Sequence, residues 1–206
     1  MDYRMRRRMM LQSGGGSLVE NFVRVGNPTI EDGIMTASSS AWITTPESFN
    51  PGSNPWSLTV KIYRQAVLGT YEGIIGSDGL RLRTPYQSNN VVLDLYSDSG
   101  TIASGSVNKS VAPGAWRWLR VIFSGSSTGY DYGISTDGVT YKYIGGNSTP
   151  HTGYIPSAYK KATPIKAGIL NIGHDAGNYY TTAKFDLMET KIEVNGVVWW
   201  TPYVRG

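Results

Sequence analysis

Cysteine is missing from this chain of 206 residues, which excludes disulfides, cysteine-ligated zinc and thiol catalysis. Long apolar runs are missing too, because no window approaches the ~20 apolar residues that a membrane-spanning helix needs. Behind the basic start the apolar stretch is only Met9-Met10-Leu11, whereas a secretory signal needs about 7–15 apolar residues. We therefore expect a protein without a disulfide scaffold, a membrane span or a signal peptide.

Excess basic charge is absent from the body of the chain and concentrated at its start. The net charge is +4, and residues 1–17 supply +3 of it. Residues 18–206 hold 15 basic and 14 acidic side chains. Nucleic-acid-binding domains usually carry positive charge on one face or stripe, so we do not expect a nucleic acid partner for this nearly neutral domain.

Aromatic residues and glycine are abundant: aromatics make up 12% of the chain, and there are 25 glycines. Apolar and polar residues alternate between Gly, Asn, Asp, Ser and Pro, which is typical of strands and turns. In the segment 57–64, SLTVKIYR, this alternation predicts a strand with one buried side and one solvent-facing side. The buried side is predicted to hold Leu58, Val60 and Ile62, and the solvent-facing side Thr59, Lys61 and Tyr63.

Two further strands and two hairpin turns follow from the same reasoning. The inward residues of these strands are predicted to be Val91, Leu93 and Leu95, and Leu119, Val121 and Phe123. Gly138 in an S-T-D-G turn and Asn195-Gly196 supply the positive φ angles that short hairpin loops require. We predict an all-β, antiparallel two-sheet jelly-roll sandwich at 17–206. A Met/Arg-rich arm with a Gly/Ser linker precedes it at 1–16.

Four segments, in the expected order, resemble one family. The segment 41–63 (AWITTPESFNPGSNPWSLTVKIY) resembles the opening of a concanavalin A-like lectin/glucanase domain of the laminin G-like type. The segments 113–125, 132–146 and 170–200 resemble its middle strand, its S-x-D-G hairpin and its closing hairpin. The N-G-x-x-W-W ending is similar to domains in structural proteins of tailed bacteriophages and prophages. The resemblance implies two antiparallel sheets packed face to face, and it leaves function open.

Glycoside hydrolases on this fold need two carboxylates that flank the scissile bond, and their E-x-D-x-x-E run is absent here. The nearest set, Asp186-Leu187-Met188-Glu189, is predicted to cap a strand corner. The two histidines are His151 and His174, and His174-Asp175 is predicted to form a turn rather than a metal or proton-relay site. A Ser-His-Asp set, whose three groups meet only in space, stays open. We expect no catalytic residues, no metal and no cofactor.

Aromatic rings are the candidate contacts for a carbohydrate, because they offer a large apolar area on few rotatable bonds. The candidates are Tyr130, Tyr132, Tyr141 and Tyr143, and the loop residues Tyr154, Tyr159, Tyr179 and Tyr180. The four tyrosines around the S-T-D-G turn have an alternative role, since cross-strand aromatic pairs stabilise sheets. Tyr179-Tyr180, in an Asn- and Gly-rich loop, are the favoured ligand contacts.

The resemblance to phage and prophage proteins implies a virion structural protein of a tail, fibre or head surface, and the missing acid run indicates that it is non-enzymatic. Its lectin-like domain would bind host-surface or mucus glycan, and the protein would be a homo-oligomer assembled in the bacterial cytoplasm and located in the virion. Two alternatives stay open: an architectural virion protein without a ligand, and a glycoside hydrolase or its accessory domain.

The arm at 1–16 is predicted to fasten the domain to another virion protein. In a short helix, Met1, Met5 and Met9 would share one side, where methionine packs into irregular pockets and arginine can bond carboxylates of a neighbour. The predicted docking residues are Arg4, Met5, Arg6, Arg7, Arg8, Met9 and Met10. Gly14-Gly15-Gly16 would act as a flexible tether. A disordered tail and a phosphate-binding arm are the alternatives.

Overall fold

The computed structural model of this chain describes residues 18–125, 129–144, 148–150 and 156–205. The arm at 1–16, with all its predicted docking residues, therefore lies outside the described residues. His151 and Tyr154 lie outside them as well.

The described residues form seventeen strands and one 3-10 helix, Ser157–Tyr159. The strands are β1 (Leu18–Glu20), β2 (Val23–Val25), β3 (Thr29–Glu31), β4 (Ile34–Thr36), β5 (Trp42–Phe49), β6 (Trp56–Tyr63), β7 (Glu72–Gly76), β8 (Leu80–Thr84) and β9 (Asn90–Ser97). They continue with β10 (Gly100–Ser110), β11 (Trp116–Phe123), β12 (Tyr130–Ser135), β13 (Tyr141–Tyr143), β14 (Gly168–Ile172), β15 (Lys184–Val194), β16 (Val197–Trp200) and β17 (Tyr203–Arg205). A membrane-crossing helix, long and apolar enough to span, is not found among these residues.

Most strands belong to two antiparallel sheets. The seven-stranded sheet has the order β10-β9-β8-β7-β14-β5-β2. The eight-stranded sheet has the order β13-β12-β11-β6-β15-β4-β3, with β16 also paired to β15. Strands far apart in sequence are neighbours, as β6 is to both β11 and β15, which is typical of a jelly roll rather than a meander. The predicted all-β, two-sheet antiparallel sandwich is confirmed.

The core lies between the two sheets and follows the alternation in the sequence. All predicted inward residues of β6, β9 and β11 are at most 1% exposed, namely Leu58, Val60, Ile62, Val91, Leu93, Leu95, Leu119, Val121 and Phe123. Full burial of a side chain of this size contributes about 1.5–3 kcal/mol to folding. Apolar periodicity therefore predicted this part of the core correctly.

The predicted solvent-facing side of β6 is wrong for two of its three residues. Thr59 and Lys61 are 6% and 2% exposed, because other side chains cover the outer face of the eight-stranded sheet. The Lys61 Nζ atom lies 4.5 Å from the Trp118 ring centre and 5.4 Å from that of Trp116. The same atom lies 3.2 Å from Oδ2 of Asp186. Two indole rings and a buried carboxylate thus replace water around this ammonium group.

The predicted strand corner at Asp186 is a bulge in β15. The pairing of β15 with β6 shifts register between Asp186 and Lys191. Oδ1 of Asp186 accepts a hydrogen bond from the Met188 N–H at 3.1 Å, and the Asp186 carbonyl accepts one from Thr190 Oγ1 at 2.9 Å. Asp186 therefore caps the bulge, as predicted, and also pairs with Lys61.

Both predicted hairpin turns are present. Gly138 has a φ of +76°, and Asn195-Gly196 have φ angles of +52° and +76°. In the first turn, the Asp137 carboxylate accepts hydrogen bonds from the N–H groups of Thr140 and Val139, each at 2.8 Å. These two bonds lower the pKa of Asp137 to about 2. The turn is therefore fixed by its own side chain as well as by glycine.

Candidate functional site

Two of the predicted sugar contacts, Tyr130 and Tyr132, belong to the core. Both are 0% exposed, and burial raises the pKa of both phenols well above the ordinary value. The Tyr130 ring stacks on Phe123 with ring centres 4.6 Å apart, and its hydroxyl donates to the Thr163 carbonyl at 2.6 Å. A ring without accessible surface cannot stack on a sugar, so the assignment of these two residues to a ligand site is wrong.

Tyr159 is corrected for the same reason. It is 3% exposed, and its hydroxyl bonds the carbonyls of Leu93 and Gly105 at 2.8 and 3.1 Å. This side chain links the 3-10 helix to the edge of the seven-stranded sheet. It is part of the packing and not of a surface.

Tyr141 and Tyr143 lie on the other side of the β12–β13 hairpin. The register places Tyr141 opposite Ser135 and Tyr143 opposite Gly133, so neither pairs across the turn with the two core tyrosines. Their own rings stack with centres 6.0 Å apart, and they are 6% and 3% exposed. The alternative in which all four rings pair across the hairpin is therefore also wrong.

A groove of about 420 Å³ passes Tyr141 on the outer face of the eight-stranded sheet. Its polar lining comes from Thr59, Arg120, Glu189, Thr190, Lys191 and Thr201. Of its two aromatic side chains, Tyr141 is only 6% exposed, and Trp118 alone is half-buried. The groove therefore offers hydrogen-bonding groups but little free aromatic surface.

The loop 174–180, which carries the favoured Tyr179 and Tyr180, lies flat on the outer face of the seven-stranded sheet. A Cβ atom on Gly76 would come within 2.0 Å of the carbonyl carbon of Asp175. A Cβ atom on Gly73 would come within 2.2 Å of the carbonyl oxygen of Tyr179. The loop backbone thus occupies the space of two side chains, which explains why β7 carries glycine at both places.

Asp175 holds this loop in one conformation. Its side chain is 0% exposed, and Oδ1 accepts hydrogen bonds from the N–H groups of Gly177 and Tyr179 at 2.8 and 3.1 Å. Its own N–H donates to the Tyr179 carbonyl at 3.0 Å. The turn predicted at His174-Asp175 is confirmed, and it presents Tyr179 on a backbone that is fixed at both ends.

His174 and Trp42 form an aromatic pair at the start of the loop. Its ring stacks on Trp42 with centres 4.3 Å apart and an interplanar angle of 20°. The indole N–H of Trp42 donates to Oδ1 of Asn171 at 3.0 Å. Burial lowers the pKa of His174, with nearby Asp175 acting in the opposite direction, so the environment of the ring favours the neutral imidazole.

Beside the loop, five half-buried side chains form what we call the tyrosine–arginine face: Tyr71, Arg81, Arg83, Tyr96 and Tyr179. The ring centres of Tyr71 and Tyr179 are 5.1 Å apart. The guanidinium carbon of Arg83 lies 5.1 and 5.6 Å from these two centres, and that of Arg81 lies 5.3 Å from the Tyr96 ring centre. These are cation–π distances. They form two groups, which are neighbours because Arg81 and Arg83 lie two positions apart on the same face of β8.

The carboxylates of this region are buried, whereas the guanidinium groups are partly exposed. Asp94 is 0% exposed; its Oδ2 atom forms an ion pair with Nη2 of Arg83 at 2.8 Å, and its Oδ1 atom accepts a hydrogen bond from Oγ of Ser104 at 2.6 Å. Arg81 forms no ion pair within the described part of the chain, and its Nε atom is buried without a hydrogen-bond partner. The formal charges cancel, but the accessible charge on this face is positive.

Metal ligation has no candidate among residues 18–125, 129–144, 148–150 and 156–205, where no three histidine or acidic side chains are grouped around one point. Asp94, a buried acid of β9, contacts Arg83 and Ser104.

Solved structures of very different sequence share this fold. The chain aligns with a Trypanosoma rangeli sialidase in complex with sialic acid at a TM-score of 0.54 and 9% identity, over 85% of this chain and 27% of that one. It aligns with the binding domain of botulinum neurotoxin DC in complex with SialylT at a TM-score of 0.51 and 12% identity, over 87% of this chain and 42% of that one. A native heptameric SAP-like pentraxin from Limulus polyphemus aligns at a TM-score of 0.47 and 10% identity, over 90% of this chain and 92% of that one.

The fold is the concanavalin A-like jelly roll of lectins and glucanases. The chain spans about a quarter of the sialidase and less than half of the toxin chain that it matches, and at these identities the likeness concerns the fold alone. No family model matches the chain, and no curated protein matches it in sequence.

The sequence predicted Tyr179 and Tyr180 as surface residues but missed the partners of Tyr179. The sequence did indicate that Arg81 and Arg83 lie together, because the alternation R-L-R places both side chains on one face of a strand. The alternation in β9 likewise places Tyr96 on the outer face, since Leu93 and Leu95 face the core. What the sequence did not contain was the strand order, which places β7, β8 and β9 one after another beside β14, the strand that leads into the loop 174–180.

Proposed function

We propose that this protein is a carbohydrate-binding, lectin-like protein, and that the tyrosine–arginine face together with Tyr180 is its glycan-binding surface. The observation that supports this is the layer of half-buried rings and guanidinium groups beside a fixed loop. Tyrosine rings can stack on the apolar faces of pyranoses, and guanidinium N–H groups can donate to sugar oxygens. Because Asp175 fixes the loop before a ligand arrives, binding costs less conformational entropy.

The fold relatives add limited support. The sialidase structure holds sialic acid, and the toxin binding domain is a complex with SialylT. Both TM-scores exceed 0.5, although this chain corresponds to only part of each protein. The tyrosine–arginine face of this chain is the primary support, and these complexes agree with it.

We propose binding without catalysis. A glycoside hydrolase uses one carboxyl group to protonate the leaving oxygen and another as base or nucleophile. Asp94 and Asp175, the acids next to the face, are buried and already bonded to Arg83, Ser104 and the loop backbone. Release of reducing sugar from a bound polysaccharide by the purified protein would contradict this part of the proposal.

The biological setting that we propose is a phage virion, in which the protein is a homo-oligomer docked through the arm at 1–16. Its support is the sequence resemblance of the N-G-x-x-W-W ending and the basic, methionine-rich arm. Deletion of residues 2–12 should prevent incorporation into the particle, with the domain still folded. Incorporation of the truncated protein would contradict the docking role of the arm.

A glycan array tests the binding function directly. The wild-type protein should bind a subset of bacterial-surface or mucus glycans, and Tyr179→Ala should weaken that binding by about tenfold, which is ~1.4 kcal/mol. The matched control is Tyr63→Ala, which removes a half-buried tyrosine that contacts Trp116 on the other sheet. Equal loss in both variants, or no binding to any glycan by the wild-type protein, would overturn the proposal.

A further inference from the structure

We infer that the tyrosine–arginine face recognises an anionic group of its glycan and that Arg81 is the residue that binds this group. The inference rests on the proposed function and concerns the chemical class of ligand at the same site. It follows from how the charges of this face are arranged.

The arginines of this protein differ in how their N–H groups are used. Arg64 is 1% exposed, pairs with the carboxylate of Glu72, and donates to the Val111 carbonyl at 2.6 Å and to Oδ1 of Asn89 at 3.2 Å. A guanidinium carries five N–H donors, and Arg64 uses its donors inside the protein. Arg81 is half-buried and forms no ion pair among the described residues; its Nε atom is buried, so its charge and its two Nη groups are what a ligand can contact.

The burial of each charged group determines which charge an approaching ligand contacts. Arg83 is neutralised by Asp94, with which it shares a 2.8 Å ion pair. The carboxylates of Asp94 and Asp175 are both 0% exposed, while Arg81 is partly exposed. Coulomb attraction falls with distance and with solvent screening. An anionic group that contacts Arg81 on the side away from Asp175 is closer to the guanidinium than to either carboxylate, and it is therefore attracted more strongly than the carboxylates repel it.

Gly177 lies next to both Arg81 and Asp175. A Cβ atom on Gly177 would lie 3.5 Å from Nη1 of Arg81 and 3.2 Å from Oδ1 of Asp175. The φ angle of Gly177 lies outside the left-handed region, so the backbone conformation does not require glycine there. A ligand oxygen at that position would lie as close to the Asp175 carboxylate as to Nη1 of Arg81, so an anionic group has to approach Arg81 from another side.

The arrangement defines the ligand class as a sugar that carries a carboxylate or a sulfate. The planar fork of a guanidinium matches two oxygens of such a group, and the Tyr96 ring supports the Arg81 guanidinium from one side. The rings of Tyr71 and Tyr179 then provide the surface for the sugar itself. Arg81 would therefore distinguish anionic from neutral sugars, and the tyrosines would contact the sugar ring in both cases.

The test uses pairs of glycans that differ only in charge: uronate- or sialate-containing oligosaccharides and their carboxyl-reduced forms, together with a sulfated oligosaccharide and its desulfated form. Affinities are measured for wild type, Arg81→Gln and Arg81→Lys by titration calorimetry. Lys142→Gln is the control, because it also removes one positive charge but from an exposed side chain on β13 of the other sheet. Unfolding curves verify that each variant is folded.

We expect the wild-type protein to lose roughly tenfold to a hundredfold in affinity when the anionic group is removed from the ligand, as for a hydrogen-bonded charge. Arg81→Gln should lose the same factor for the anionic form and should no longer distinguish the two forms. Arg81→Lys should lie between, and Lys142→Gln should resemble the wild type. The carboxylated and sulfated pairs identify which anion carries the effect.

Two outcomes separate this inference from the function it rests on. Equal wild-type affinity for the charged and neutral forms, with Tyr179→Ala still weakening both, would overturn the role of Arg81 and leave glycan binding intact. No binding to any member of the panel would overturn the proposed function and this inference with it.

Discussion

The Nζ atom of Lys61 lies 3.2 Å from Oδ2 of Asp186, and both side chains are at most 3% exposed. Removal of one charge from a buried pair leaves the other in a low-dielectric site. Lys61→Met should therefore lower the free energy of unfolding by ~3–5 kcal/mol, measured by urea denaturation. Asp186 also caps the β15 bulge, so its own replacement would report two effects at once.

The control for that prediction is Lys191→Met. Lys191 pairs with Glu193 at 2.8 Å, but its side chain is 45% exposed. Surface pairs of this kind contribute about 0–1 kcal/mol. A similar loss in both variants would show that the pair at Lys61 is not buried in the way the structure indicates.

Gly76→Ala should displace the loop that carries Tyr179. The new Cβ atom would lie 2.0 Å from the Asp175 backbone, and overpacking of this kind typically costs about 1–3 kcal/mol. Glycan affinity should fall with stability, because the loop can no longer lie on β7. Gly69→Ala, where no atom lies within 4 Å, should change thermal stability and affinity little. Unchanged binding by Gly76→Ala would contradict the site.

The two core tyrosines should respond differently to loss of the hydroxyl. The Tyr130 hydroxyl donates to the Thr163 carbonyl at 2.6 Å, so Tyr130→Phe should cost about 1 kcal/mol. The Tyr132 hydroxyl is buried without a hydrogen-bond partner, so Tyr132→Phe should be neutral or stabilising. Urea denaturation of both variants measures the difference, and the opposite order would contradict the packing described for these rings.

Stability should fall in alkaline solution. Burial raises the pKa of Tyr141 to about 12, with Arg120 acting in the opposite direction, whereas an unfolded tyrosine ionises near ~10. Between these two values the unfolded state loses its proton first, so the free energy of unfolding decreases as pH rises. Denaturation curves at a series of pH values should show this decrease, and Tyr141→Phe should make it shallower.

Local periodicity predicted the core strands, but it did not predict what covers their outer faces. Alternation placed Lys61 correctly on the outer face, but Trp116 and Trp118 cover the residue there. These two residues belong to a strand that is more than fifty positions away in sequence, so local periodicity could not predict the burial. The same limit applies to Tyr130 and Tyr132, whose aromatic character fits both a ligand surface and a core. Only the register with β13 and the sheet order distinguish these two environments.

The candidate site shows the same division between local and non-local information. The turn at Asp175 can be predicted from a few consecutive residues, because a short acidic side chain accepts hydrogen bonds from the N–H groups just after it. The contact of Tyr179 with Tyr71 and Arg83 depends on three separate segments that meet on one sheet. Gly73 and Gly76 carried a signal for this meeting, since glycine within a strand often marks the close approach of another backbone.

The pairing of β1 with β17 has a mechanical consequence. Leu18 lies opposite Arg205 in an antiparallel register, so the first and last described strands end side by side. A force that pulls these two ends apart would load the hydrogen bonds of this pair one after another, as in unzipping, rather than all together in shear. The short ladder would open at low force, while the two large sheets and the surface at Tyr179 would carry almost none of the load.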